Sequence, residues 1–345
     1  VNPFCVKLIA DKACNIILAG ADLREIFKRY LDYLKAEKGA SPYTLRNYRA
    51  DLLGTYKRGE GKGFFQFLRL KGVLDFKDVD KQNIRDYLAW LWENGIDKSS
   101  MARKLSAIRS FYAYLLNEKI LDKSPIPINV RGRRGERSGL SPKLDKKLPV
   151  FLTQAETEKL LMSPDVAKPE GARDRAIFEL LYASGLRISE IWQLNLENLD
   201  LDSRQLRVIG KGAKERQVLI GVPARDALDR YIRDFRPALA SAGSGTALFL
   251  NRRGQRISIR GIQKQLKHYA LAAGIAKDVH PHVLRHTFAT HMLDGGADLR
   301  VVQELMGHAD LSSTQIYTHV TKQQARRVYM NTHPMAQEEL EDESD

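Results

Sequence analysis

The sequence predicts a two-domain, mainly α-helical protein with a small antiparallel β-sheet in its C-terminal domain. Three observations lead there. Apolar residues recur at helical spacing through most of the chain. Two strand-like runs, RQLRVIG (204–210) and ERQVLIG (215–221), are separated only by KGAK, as in a hairpin. A stretch rich in Pro, Gly, Ser and positive charge, SPIPINVRGRRGERSGLSPKLDKKLP (124–149), divides the pattern in two. At 345 residues the chain is long enough for two cores. The expected organisation is a loosely ordered leader (1–21), a helical domain (22–123), a basic linker (124–147), a second domain (148–334) and an acidic tail (335–345).

In the first domain, ADLREIFKRYLDYLKAEKG places Leu23, Ile26, Phe27, Tyr30, Leu31 and Leu34 on one helical face, and Gly39 ends the run. SPYTLRNYRADLL opens with Ser41 as N-cap and Pro42 at the first helical position. DKQNIRDYLAWLWENG and SSMARKLSAIRSFYAYLLNEK are two more amphipathic helices, and GTYKRGEGKG (54–63) reads as a loop insertion. The product is a bundle of four or five helices. The linker is a strap along a phosphate backbone or a solvated tether. In the second domain, Thr153 and Glu156 form a capping box, and DRAIFELLYASG is a helix closed by Gly185. After the hairpin come a helix at 223–236, a strand at LFLN (248–251) and further helix to 333.

Charge and composition narrow the function. The net charge of +14 includes a C-terminal EELEDESD with six acidic and no basic residues, so the remainder carries +20. A body that basic points to a polyanion, nucleic acid before acidic membrane. No apolar run is long enough to span a bilayer, and the first twenty residues lack a secretory h-region. The two cysteines, Cys5 and Cys14, make neither a disulfide framework nor a zinc pattern, which fits a reducing, cytoplasmic compartment.

HPHVLRHTFATH (280–291) holds four of the eight histidines. His282 and Arg285, three apart, share a helical face. His286 and His291 lean toward Phe288 and Leu293 and read as packed structural histidines. A zinc helix of the H-E-x-x-H form is disfavoured: Val283 stands where its glutamate would be, and Arg285 between the histidines repels a cation. The arginine fits an anion site instead. GLRISE (185–190) puts Arg187 at the start of a helix, where free N–H groups also favour anions, with Glu190 spaced to hold it. Lys211 sits at the hairpin tip, with Lys214 as its substitute in the same loop. His308 follows a glycine in GHADLSSTQIYTH (307–319), and Tyr317 comes nine residues later.

Singly these signals are weak; their order carries weight. The blocks GLRISEI, GKGAKER, HVLRHTFATHML and LMGHADLSSTQIYTH resemble the tyrosine recombinase (phage integrase) family, in its bacterial Xer-type branch. The resemblance runs from about residue 22 to 336. It implies a two-domain, C-shaped DNA clamp: a helical SAM-like core-binding domain and an α+β catalytic domain. It assigns the nucleophile to Tyr317, forming a 3′-phosphotyrosyl link to DNA. It assigns phosphate binding to Arg187, Arg285 and His308, acid/base work to His282, protonation of the departing 5′-oxygen to Lys211, and support to Glu190. No cofactor and no metal are implied, and the sequence holds no P-loop and no acidic cluster of the two-metal type. Arg46, Arg103, Lys104 and Arg109 are candidate DNA contacts, with a solvated face as the alternative for Arg103 and Lys104. The implied partner is double-stranded DNA with a partly palindromic recombination site. Two such sites are held by a homo- or hetero-tetramer, with a paralogous recombinase as co-subunit and a septum-associated DNA translocase as regulator. The segment ARRVYMNTHPMA (325–336) is expected to dock in trans on a neighbouring protomer. The implied role is resolution of chromosome dimers through a Holliday junction at cell division. The rival readings are an integrase of a phage or mobile element, a type IB topoisomerase and a non-catalytic DNA-binding protein on the same fold.

Overall fold

In the computed structural model, residues 21–54, 62–128, 140, 150–210, 215–307 and 322–335 are described. The chain divides into two compact units, 1–146 and 147–345.

The first unit contains helices α1 (Ala21–Ala36), α2 (Pro42–Leu53), α3 (Phe64–Leu70), α4 (Lys81–Glu93) and α5 (Lys98–Asn117). Short polar side chains start them. Ser41 accepts the N–H of Thr44, Asp97 that of Ser100, and Asp80 makes a reciprocal box with Asn83. The core is aromatic. Phe111 of α5 meets Tyr30 at 5.2 Å and Phe65 at 5.3 Å, both edge-on, as ring quadrupoles prefer. Each deeply buried tyrosine finds an acceptor for its hydroxyl: Tyr30 on Ser110, Tyr87 on the Lys62 carbonyl, Tyr112 on that of Phe76. Ile126 and Leu140, which fall in the expected linker, are buried in this core instead. Ile128 packs against the same core. The rest of 129–149 and of the 54–63 insertion at 55–61 lie outside the described residues.

A charged cluster is buried beside this core. Asp51 on α2 is 2% exposed and pairs with Arg103 and with the Lys104 ammonium at 3.4 Å. Lys104 also donates to the Lys62 carbonyl at 2.8 Å. Burial lowers the Lys104 pKa and Asp51 opposes the shift. Lys104 is therefore held on the inward side of α5, against Asp51.

The second unit is built around α7 (Pro169–Ser184), which follows α6 (Gln154–Met162) and is buried along nearly all its length. Helix α8 (Ile188–Gln193) leads to a three-stranded antiparallel sheet of β1 (Leu199–Asp200), β2 (Gln205–Ile209) and β3 (Glu215–Leu219) in the order β1-β2-β3. Gln205 faces Leu219 and Ile209 faces Glu215, which makes the expected hairpin. Then come α9 (Val222–Arg230), a π-turn and α10 (Arg236–Leu239), α11 (Ile259–Ala272), α12 (Pro281–Asp294), α13 (Leu299–Leu305) and α14 (Lys322–Thr332). The capping box at Thr153 and Glu156 is formed in both directions. LFLN is not a strand. Leu248 donates to Leu194, Phe249 accepts from Ile257, and Leu250 makes one isolated bridge with Arg256, so its backbone groups go to separate partners and no ladder forms.

Within the single chain, the end of the described residues lies on its own unit. Tyr329 is buried and donates to the Ala183 carbonyl at 2.9 Å. His333 stacks on Tyr329 and lies against Tyr182, with ring centroids 5.1 and 4.9 Å apart. Burial pushes the His333 imidazole down to about 3, so it is neutral in place. The apolar side of this segment meets a ready aromatic socket within the same chain. No helix among the described residues is long and apolar enough to cross a membrane.

Replacing Asp51 by alanine strands the Lys104 ammonium in a dry site and is expected to cost about 3–5 kcal/mol in denaturant unfolding. The double variant Asp51→Leu/Lys104→Met is expected to recover most of that loss.

Candidate active site

The site starts at the end of α7. Gly185 ends that helix in the left-handed region, φ +57°. A side chain there would meet the Phe288 ring at 2.5 Å, so the close approach also demands glycine. The turn delivers Arg187 to the N-cap of α8. Glu190, one turn on and 5% exposed, accepts the Arg187 backbone N–H at 2.9 Å and its Nη1 at 3.2 Å.

Helix α12 supplies the second arginine. His280 is its N-cap and Pro281 its first residue. Arg285, three residues after the exposed His282, is buried. Its Nη1 donates to the Gly185 carbonyl and its Nη2 to the Met306 carbonyl at 2.8 Å. Arg187 Nη2 reaches the next carbonyl, Gly307, at 3.4 Å. Two arginines 98 positions apart in sequence thus hold consecutive carbonyls, immediately before His308. Burial and then the Arg187 charge push Arg285 down to about 10, which leaves it cationic at neutral pH. His282 is held below the ordinary imidazole range, by burial first, then by His280, Arg285, His286 and Arg187.

A third arginine, Arg216 on β3, completes the cluster. Its Nη1 and Nη2 donate to the two oxygens of Glu190 at 2.9 and 3.1 Å. Burial alone would raise the Glu190 pKa, but the Arg216 hydrogen bond and the Arg187 backbone N–H outweigh it and keep the carboxylate ionised. Sequence reasoning missed Arg216. The signal was available: alternation along β3 puts it on the same face as buried Val218, and an inward arginine requires a carboxylate.

Of the expected site residues, the structure brings together Arg187, Glu190, His282 and Arg285. Lys211 with Lys214, His308 and Tyr317 lie outside the described residues. His291 is buried as expected. Its Nε2 donates to the Leu152 carbonyl at 3.0 Å, which leaves Nδ1 to accept from the Tyr182 hydroxyl at 2.8 Å. His286 is not packed: it is exposed on the same helical face as His282, one turn away. Among the candidate DNA contacts of the first unit, Arg46 is exposed, with its guanidinium 4.9 Å from the Tyr43 ring centroid. Arg103 is committed in part to Asp51, and Arg109 is half-buried. Among the described residues no cluster of three or more His, Cys, Asp or Glu is placed to hold a metal.

Comparison with known proteins agrees on both units. The phage integrase family matches residues 150–324, and the phage integrase N-terminal SAM-like domain matches 27–119. Tyrosine recombinase XerC of Pelotomaculum thermopropionicum is 45% identical, covering 89% of this chain and 97% of that protein. Tyrosine recombinase XerD of Staphylococcus saprophyticus is 41% identical, covering 90% and 99%. The crystal structure of XerH site-specific recombinase bound to palindromic difH substrate shares the fold, with TM-score 0.61 and 24% identity over 90% of this chain and 82% of that one. The chain belongs to the phage integrase family of tyrosine recombinases and is closely related to the bacterial XerC and XerD enzymes.

Gly185→Ala forces a side chain into the Phe288 ring at a left-handed φ. It is expected to destabilise the protein by roughly 1–3 kcal/mol in urea unfolding. Because the Gly185 carbonyl anchors Arg285, strand cleavage under fully folded conditions is expected to drop as well.

Proposed function

We propose that this chain cuts and rejoins double-stranded DNA at partly palindromic sites by metal-independent transesterification, with Tyr317 as the nucleophile. The convergence of Arg187 and Arg285 on the carbonyls of residues 306 and 307 carries this reading. It places two guanidinium groups beside the chain that leads to His308. A phosphodiester carries one negative charge and gains more in its pentavalent transition state. Fixed cations aimed at its non-bridging oxygens lower that barrier without a metal ion.

The balanced step is as follows. The phenol oxygen of Tyr317 attacks phosphorus while its proton passes to neutral His282. The bond from phosphorus to the 5′-oxygen breaks, and Lys211 protonates that oxygen. The product is a 3′-phosphotyrosyl link and a free 5′-hydroxyl. Attack by a 5′-hydroxyl from a second duplex reverses the chemistry on a new strand, and two such exchanges pass through a Holliday junction. The bond energy stays in the phosphotyrosine, so rejoining needs no nucleotide.

The helical unit would grip the duplex largely through phosphates, with exposed Arg46 among its contacts. Exchange between two sites requires four protomers, of this chain alone or with a paralogous recombinase. The near full-length likeness to proteins named XerC and XerD supports a cytoplasmic role in resolving chromosome dimers, with a septum DNA translocase as regulator.

The test is a nicked suicide duplex carrying a chromosome-dimer-resolution sequence, incubated in EDTA. Wild type is expected to give a covalent protein–DNA band on a denaturing gel, and Tyr317→Phe none. A band that persists in the variant would assign the nucleophile elsewhere. The pH dependence provides a second check. A base works only when unprotonated, and the His282 pKa lies below 6.5 in the free protein. The acid limb of the second-order cleavage rate, which reports the free enzyme, should therefore be centred below pH 6.5. An acid limb centred above 6.5 contradicts the role of His282.

A further inference from the structure

We propose that Arg216 is a positioning residue: by occupying both oxygens of Glu190 it keeps Arg187 from collapsing into that carboxylate and leaves its guanidinium to the DNA phosphate. The inference rests on Arg187 as a phosphate ligand.

Glu190 is buried and ionised, and it sits one helical turn from Arg187. Its hydrogen bonds are divided unevenly. Arg216 makes the two-pronged contact, 2.9 Å to Oε1 and 3.1 Å to Oε2. Arg187 gives Oε2 its backbone N–H at 2.9 Å and gives Oε1 only one side-chain contact, at 3.2 Å. The fork geometry that best matches a carboxylate is taken by Arg216. The Arg187 side chain remains 39% exposed, against 22% for Arg216.

A buried carboxylate with one arginine in reach draws it in, because an unpaired charge in a dry site is costly. Without Arg216, the guanidinium of Arg187 is the nearest group able to span both Glu190 oxygens. The two compete for the same acceptor, and whichever holds it is withdrawn from substrate. Arg216 is the one that can be spared, since it lies on the inward face of β3.

Gly307 provides an independent observation. A Cβ on Gly307 would fall 2.8 Å from Arg216 Cζ and 2.9 Å from its Nε, and Gly307 has φ +67°. The guanidinium of Arg216 therefore packs flat against the backbone just before His308. Its Nε is buried with no hydrogen-bond partner. Leaving a charged donor unsatisfied is costly, and the two-pronged hold on Glu190 and the contact with Gly307 fix the group there regardless. Arg216 thus joins β3, α8 and the end of α13 behind the phosphate site without facing it.

The test measures single-turnover cleavage by the full-length protein at saturating suicide DNA. Arg216→Ala is expected to slow cleavage roughly ten- to hundred-fold through misplacement of Arg187, with DNA affinity nearly unchanged. Arg216→Lys, a point charge that cannot span two oxygens, should fall between. The decisive variant is Arg216→Ala/Glu190→Gln. Removing the carboxylate's charge removes the trap, so the double variant should cleave faster than Arg216→Ala and match Glu190→Gln. A double variant no faster than Arg216→Ala overturns the proposal, as does an Arg216→Ala that cleaves at the wild-type rate. If Arg216→Ala fails to fold, the comparison of Arg216→Lys with Arg216→Lys/Glu190→Gln reads the same rescue. Arg187→Ala separates the two layers of the argument: near wild-type cleavage by that variant would sink the role given to Arg187 itself.

Discussion

The burial of one guanidinium organises the second unit. A charge removed from water needs strong acceptors, and Arg285 finds them at two helix ends. Gly185 caps α7 and Met306 caps α13, so each carbonyl is among those a helix leaves without an internal partner and carries the negative end of its dipole. One side chain thereby satisfies two orphan acceptors and fixes three helices. The left-handed turn at Gly185 follows from the same contact. Phe288, one turn beyond Arg285 on α12, presses on that turn where a side chain would otherwise stand.

Around this anchor the charges are layered. Glu190 lies between Arg187 and Arg216, and the repulsion between Arg187 and Arg285 is only partly relieved by the carboxylate. Three guanidiniums against one carboxylate leave an excess of positive charge that the protein holds in fixed positions before any DNA arrives. Cations fixed in this way need not reorganise when an anion arrives.

Much of this was legible in the sequence, because it rests on local rules. Helical periodicity, the Ser41–Pro42 start, the Thr153–Glu156 box and the KGAK hairpin each depend on a few neighbouring residues. The pairing of Arg187 with Glu190 follows from spacing alone. The misreadings came from long-range partners. Lys104 looked like a surface cation because nothing nearby in sequence announces Asp51, 53 residues earlier. LFLN had the composition of a strand, but its pairing with the segment at 255–257 stops at a single bridge. His286 was misplaced because α12 is apolar on most sides, so periodicity could not say which face was buried. Ile126 and Leu140 were too isolated to mark a core. Arg216 was missed because its partner lies in another element.

The buried cations change how the chain's charge should be read. Fifty-six lysines and arginines suggest a protein saturated with phosphate contacts. Yet Lys104, Arg173, Arg175, Arg216 and Arg256 donate to acceptors of the protein itself. Such groups are neutralised or caged before binding and displace no condensed counterions from DNA. The salt dependence of DNA binding counts only the cations that meet phosphates. Formal charge therefore sets an upper bound on that slope, and the interior of the fold decides how far below the bound the protein lies.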